Sequence, residues 1–175
     1  MNMLKSNFLC TTLTVSLAMS TSCFAEKELS NLEPFEWENR IILIRTVANT
    51  TANTVDQDKN LCAQAIKSLK ESEYDIDDRH IIWFVLCNPE EGKPETEQLD
   101  TDRFYEVTTN YTGIIASTFS NFIEQQYFKN ITDSVVLIGK DSGVKYRASE
   151  LDLKSINLLI DSMPMRQWEM AEKNK

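Results

Sequence analysis

Four cysteines and one histidine are the side chains of this 175-residue chain best suited to nucleophilic or acid–base chemistry. A reactive thiol works as the thiolate, and the commonest device for making one is a C-x-x-C pair at a helix start. No such pair occurs after residue 25; Cys62 and Cys87 stand alone there. The single histidine, His80, excludes any site built on two imidazoles. Alone it could act as a general base, or simply border the apolar run that follows it. Only four glycines are present, too few for much of a Gly-rich phosphate loop. A net charge of −9 argues against a protein that tracks nucleic-acid phosphates, which needs a basic face. The acidic stretch from Glu90 to Asp102 could recruit Ca²⁺ through its carboxylates, but it lacks the D-x-[DN]-x-[DN]-G spacing and reads as a solvated loop. No metal and no cofactor are expected.

The first 25 residues read as a secretory leader. Lys5 and the amino terminus supply the positive charge, Phe8 to Ala18 the apolar core, and Cys23-Phe24-Ala25 the small residues that a signal peptidase accepts. The apolar core is too short to span a bilayer, which takes about 20 residues. A lipoprotein site at Cys23 is disfavoured by Ser20, which stands where a branched apolar residue is wanted. Cleavage after Ala25 leaves 150 residues, 26–175, and carries off Cys10 and Cys23. It also removes Lys5, moving the net charge from −9 to −10. The expected product is a single periplasmic or secreted domain without a transmembrane segment. Asn49, Asn110 and Asn130 fit the N-x-[ST] pattern, which matters only in a host that glycosylates.

The elements that would position these residues follow from hydrophobic spacing. Glu26 to Glu33 is a polar lead-in. Ile41 to Ile44 and Ile81 to Leu86 are unbroken apolar runs, as expected of strands buried on both faces. Between them Leu61, Cys62, Ala65, Ile66 and Leu69 recur at helical spacing, predicting a helix over 55–72, followed by an acidic turn from Tyr74 to Arg79. Strand, helix and strand in that order make a parallel βαβ unit. Asn88 to Asp102, with six acidic residues and two prolines, reads as a long solvated loop. Phe104 to Thr108 suits a short edge strand, and Ile115, Phe119, Phe122 and Ile123 suit a second helix. Ser134 to Ile138 predicts a third strand, and Val144 to Ala148 alternates like a half-exposed one across the turn Gly139–Gly143. Ser149-x-x-Asp152 resembles a capping box before a last helix striped by Leu153, Ile156, Leu159, Ile160 and Met163. Pro164 ends or restarts that helix.

Two parallel strands followed by a hairpin, with helices between, is an α/β thioredoxin-like arrangement: a central mixed sheet with flanking helices. Redox enzymes of this fold place a thiol just after the first strand, at a helix start. Thr46 to Thr54 holds no cysteine there. They also carry a cis-proline before the third strand, where this chain has Asn130-Ile131-Thr132-Asp133. Cys62 on the helix stripe and Cys87 at the end of the second strand can approach each other in a βαβ unit. Three readings stay open for them: a structural disulfide, two inert buried thiols, or a peroxidatic Cys62.

The last third carries the most specific sequence. Lys140, Lys145, Arg147 and Arg166 are basic residues in an acidic protein. The turn Lys140-Asp141-Ser142-Gly143 would set Lys140 beside backbone N–H groups, a small-anion nest. The plainer reading is hairpin surface charges and local ion pairs, such as Arg166 with Asp161 or Glu169. Leu137-Ile138-Gly139-Lys140-Asp141-Ser142-Gly143-Val144-Lys145-Tyr146-Arg147, then Ile160-Asp161-Ser162-Met163-Pro164-Met165-Arg166 and Glu169, resembles the P-DUDES family of peroxiredoxin-like domains of unknown function. Trp37-x-Asn39-Arg40 is similar to that family's opening motif. The resemblance covers about Pro34 to Met170. It includes small secreted bacterial proteins and domains of animal extracellular matrix proteins with sushi repeats. It implies a thioredoxin-like fold with no established activity. It also marks Arg40, Lys140, Asp141, Gly143, Lys145, Arg147, Asp161, Met163, Pro164, Arg166 and Glu169 as matching motif positions. Ser142, where a second glycine is commoner, and the acidic insertion depart from the pattern.

The expected function is a non-redox binding or adaptor module with an unidentified protein or small-molecule partner and no nucleic acid. A small-anion or ligand site at the Lys140 hairpin and a thiol-dependent peroxidase or reductase using Cys62 are the alternatives.

Overall fold

The structure, a computed structural model, describes residues 27–45, 55–87, 106–130, 132–173 and 175. Its centre is the aliphatic run RIILIR, which forms β1 (Arg40–Arg45) with all six residues buried. α1 (Val55–Glu71) and the short α2 (Glu73–Asp78) lead to β2 (Ile81–Cys87), which pairs parallel to β1. β3 (Glu106–Thr109) adds antiparallel to the far edge of β2. After α3 (Phe119–Tyr127), β4 (Val135–Ile138) pairs antiparallel to β1, and β5 (Val144–Ala148) forms a hairpin with it. α4 (Leu153–Asp161) and α5 (Pro164–Lys173) complete the order. The sheet runs β3-β2-β1-β4-β5. The mixed sheet with flanking helices is the expected thioredoxin-like α/β arrangement, with β3 as an additional edge.

Because successive strand residues point to opposite faces, the sheet divides the apolar side chains into two cores. Ile41, Leu43, Phe84, Leu86, Val136 and Ile138 face the layer of Phe119 and Ile123. Ile42, Ile44, Trp83, Val85, Val135 and Leu137 face Leu69, Ile76, Ile156 and Ile160. Among the described residues no helix is long and apolar enough to cross a membrane.

Four local expectations are corrected. The lead-in before Glu33 is not merely polar: Leu29 and Leu32 are buried, and Leu29 makes an isolated parallel bridge with Ile115. The Leu29 N–H donates to Ile114 O at 2.8 Å, and Leu29 O accepts from Ala116 N at 2.9 Å. Ile115 is therefore held in a bridge rather than in a helix, and α3 starts at Phe119. The acidic turn is helical, α2, because Ile76 inserts into the core while Glu73 and Asp75 suit the positive end of its dipole. The last helix is capped not by Ser149 but by Asp152, whose Oδ1 accepts from Ser155 N at 3.1 Å. Ser149 sits directly after β5, whose ladder extends to Ala148. At Pro164 the chain restarts as α5, as a residue needing no N–H partner can at a first helical position. The leader, Thr46 to Thr54, Asn49 and the acidic loop from Glu90 to Asp102 lie outside the described residues.

Candidate functional site

β1 begins and ends with arginine, and both side chains are buried: Arg40 is 1% exposed and Arg45 7%. Each collects a separate set of charges, one at either end of the sheet.

The larger set lies at the amino ends of β1 and β2 and the carboxyl end of β4. Arg40 Nη1 and Nη2 donate to Glu169 Oε2 and Oε1 at 3.1 and 3.2 Å, a side-by-side grip that matches guanidinium to carboxylate. Arg40 Nη1 also donates to Arg79 O at 2.8 Å. Lys140 Nζ lies 2.9 Å from Glu169 Oε1. Arg166, 3% exposed, donates to Asp78 through both its carbonyl and its carboxylate, and to Asp161 Oδ1 at 3.2 Å. Arg79 holds the other Asp161 oxygen at 2.7 Å and Asp75 at 3.1 Å. Lys173 closes on Asp78.

These contacts set the ionisation of the carboxylates. The Lys173 hydrogen bond, against the opposing effect of burial, holds Asp78 below its ordinary range, and Arg166 adds to it. Burial pushes the Asp161 carboxyl up, but Arg79 and Arg166 outweigh it and the net direction is down. Glu169 behaves the same way, with Lys140 and Arg40 overcoming its burial. His80 is pushed down, by burial first and then by the Lys140 charge. Its Nδ1 is 3.0 Å from Lys140 Nζ. An ammonium group only donates, so Nδ1 accepts and the neutral ring carries its proton on Nε2.

Backbone strain concentrates at the same end. Trp37 (φ 66°) and His80 (φ 52°) both occupy the left-handed region that bulky residues avoid. The Trp37 N–H donates to Lys140 O at 2.6 Å, and His80 O accepts from Arg40 N at 2.9 Å. The Trp37 side chain stays 63% exposed.

The smaller set sits at the carboxyl end of β1. Arg45 Nε donates to Asp133 O at 2.9 Å and Nη2 to Asn130 O at 2.7 Å, while Nη1 pairs with Glu124. The guanidinium stacks 4.6 Å from the Phe128 ring centre. Arg147 joins from β5, donating to Tyr127 O and to Asp133 Oδ2, the latter at 3.3 Å. Cys87, the last residue of β2, is paired with Cys62 at this end, with Cα atoms 6.1 Å apart, inside the range a disulfide spans.

The motif residues therefore separate into groups. Arg40, Lys140, Asp161, Arg166 and Glu169 share one network. Asp141, Gly143 and Lys145 form the hairpin, and Arg147 reaches the opposite end. Met163 and Pro164 make the joint between α4 and α5. The anion nest expected at the hairpin is filled by the chain itself: Asp141 Oδ1 accepts from Gly143 N at 3.2 Å and Oδ2 from Lys145 Nζ at 2.6 Å. Lys140 is not a hairpin surface charge; it is 8% exposed and turns toward Glu169. Asn110 works as an extra ladder rung, accepting from Trp83 N at 2.9 Å and donating to Ile81 O at 3.1 Å. Asn130 donates to Asp133 Oδ2 at 3.2 Å. Among the described residues no three His, Cys, Asp or Glu side chains converge as metal ligands.

Asp78, Arg79 and Lys173 belong to the main network and were not anticipated, nor were Arg45 and Asp133 at the other end. The available signal was the pair of arginines bracketing an apolar strand, since a charge adjoining a buried run must find a partner.

Residues 31–169 match the model of a family described as Domain of unknown function (DUF4174). No curated protein matches the sequence significantly. Among solved structures the chain is similar to a reduced 2-Cys peroxiredoxin from Plasmodium vivax, with 16% identity, 79% of this chain and 85% of that chain covered, and a TM-score of 0.46.

Proposed function

We propose that this chain, which belongs to the DUF4174 family, a domain of unknown function, is an exported thioredoxin-like binding or adaptor module of the P-DUDES type. One observation carries the reading. Five of the motif residues (Arg40, Lys140, Asp161, Arg166 and Glu169) meet at the amino ends of β1 and β2. A strand-end thiol of this fold would act at the opposite end. The motif thus supports a largely buried charged framework rather than a redox centre. Export to the periplasm or the exterior agrees with a Cys62–Cys87 disulfide, which an oxidising compartment preserves.

A second reading keeps a specific observation. Cys62 and Cys87 pair at the carboxyl end of β2, where a thiol-dependent peroxidase using Cys62 would also need them.

Peroxide consumption by the exported protein, supplied with a dithiol reductant, separates the two. The module reading expects no turnover above that of Cys62→Ser. Turnover lost in Cys62→Ser would overturn it. The mass of the exported form should correspond to a chain starting at Glu26, and an intact leader would count against export.

A further inference from the structure

We propose that the paired cations Arg40 and Lys140 are a carboxylate-binding site that α5 fills with its own Glu169. The inference rests on the binding-module reading above and names its ligand class. Arg40 and Lys140 are 1% and 8% exposed, and among the described residues Glu169 is the ion-pair partner of both. Their positions are set by the body of the domain, by the first residue of β1 and by the turn after β4. Glu169 comes from α5, a helix with a different kind of attachment.

Arg166 is the buried residue of α5, while Met165 and Trp168 are 43% and 73% exposed. Charged side chains tie α5 to the body: Arg166 to Asp78 and Asp161, Glu169 to Arg40 and Lys140, Lys173 to Asp78. Spaced at three and four residues, 166, 169 and 173 lie on one face. α5 therefore docks as a charged peptide docks on a receptor, through a bidentate arginine grip and a neighbouring ammonium.

Such contacts are specific to a carboxylate of matching geometry, so a second carboxylate can take the place of Glu169 without any apolar area having to be exposed. Glu169 keeps 18% of its side chain exposed, and His80 beside Lys140 is exposed, so an incoming carboxylate has a route to the same nitrogens. A ligand carboxylate on Arg40 and Lys140 would replace Glu169 group for group and free α5.

Hydrogen exchange of the full chain at residues 164–173 tests this. The probes are sodium succinate, a hexaglutamate peptide, and sodium chloride at matched ionic strength. Succinate or the peptide should raise exchange beyond the chloride level, and Lys140→Met should abolish the difference. A response to succinate assigns the site to free carboxylates, and a response to the peptide alone assigns it to acidic peptides. In Glu169→Gln, which removes the internal anion from the two cations, thermal shift should show half-saturation by the effective probe at about tenfold lower concentration. Equal exchange in all three solutions overturns the proposal, whether or not the variants fold. That result alongside absent peroxide turnover removes the carboxylate site and leaves the module reading standing.

Discussion

Arg40 and Glu169, 129 residues apart in sequence, meet through two parallel hydrogen bonds of 3.1 and 3.2 Å. This pair joins the first residue of the central strand to the last helix. Its cost on disruption is asymmetric. Arg40→Met leaves Glu169 with Lys140, while Glu169→Gln leaves two buried cations without a carboxylate. Urea unfolding should show a loss of about 3 kcal/mol for Glu169→Gln, as for leaving buried charges unpaired. Arg40→Met should lose about 2 kcal/mol, less because Glu169 keeps Lys140 and some water. The double variant should fall short of the sum by about 1 kcal/mol, reporting the direct coupling.

Acid should loosen the α5 end of the molecule before the sheet. Asp78, Asp161 and Glu169 all titrate below their ordinary values in the folded state. Their stabilisation is complete above the unfolded carboxylate range, about pH 4, and is lost as pH falls through the lower folded values. His80 adds an earlier decrease. Its folded value is depressed, so stability is full above the unfolded value near pH 6.5 and drops as pH falls from there to the folded value. Trp168 fluorescence and far-ultraviolet circular dichroism across pH 7 to 2 should record α5 release before strand loss. Simultaneous loss would contradict a charge-held helix.

Reducing the Cys62–Cys87 bridge, which closes a separation of 25 residues, should cost about 3 kcal/mol through the entropy of the unfolded chain. Cys62→Ser and Cys87→Ser should destabilise alike, and neither should be further weakened by reductant. Two alkylatable thiols in the exported protein would remove the bridge from the account.

Ser142 stands at φ 59° in the hairpin. Glycine relieves the left-handed strain at that position but adds freedom to the unfolded chain. The strain is the larger effect, at about 1–2 kcal/mol against about 0.5–1 kcal/mol. Ser142→Gly should therefore raise stability by about 0.5 kcal/mol, read as a higher midpoint in urea.

Much of the sheet was legible in the sequence because its signals are local. Ile41 to Ile44 and Ile81 to Leu86 are runs that only a two-sided burial explains, and the βαβ order fixes their parallel pairing. Arg166 with Asp161 and Glu169 was legible for the same reason, being separated by five and three residues. Arg166 with Asp78, Lys140 with Glu169 and Arg40 with Glu169 were not. Periodicity says which face of an element is buried, but not which distant charge will cross to meet it. The burial of Lys140 was not legible because a lysine in a Gly-bounded turn normally points outward. The turn carbonyl bonded to Trp37 N belongs to Lys140 itself, and its ammonium group reaches Glu169 and His80. Asp152 caps the helix in place of Ser149 because the helix begins at Leu153, and the N-cap stands directly before the first helical residue.

The late position of Glu169 also has a timing consequence. A chain emerging amino end first can assemble β1, β2 and β4 while Arg40 and Lys140 still lack their counter-charge. Burying those two cations unpaired is strongly unfavourable, so they stay in contact with water at the strand ends until the last helix arrives to pair them. A product ending before Glu169 would leave both cations uncovered at the strand ends, so the last helix closes the charged end of a sheet already formed.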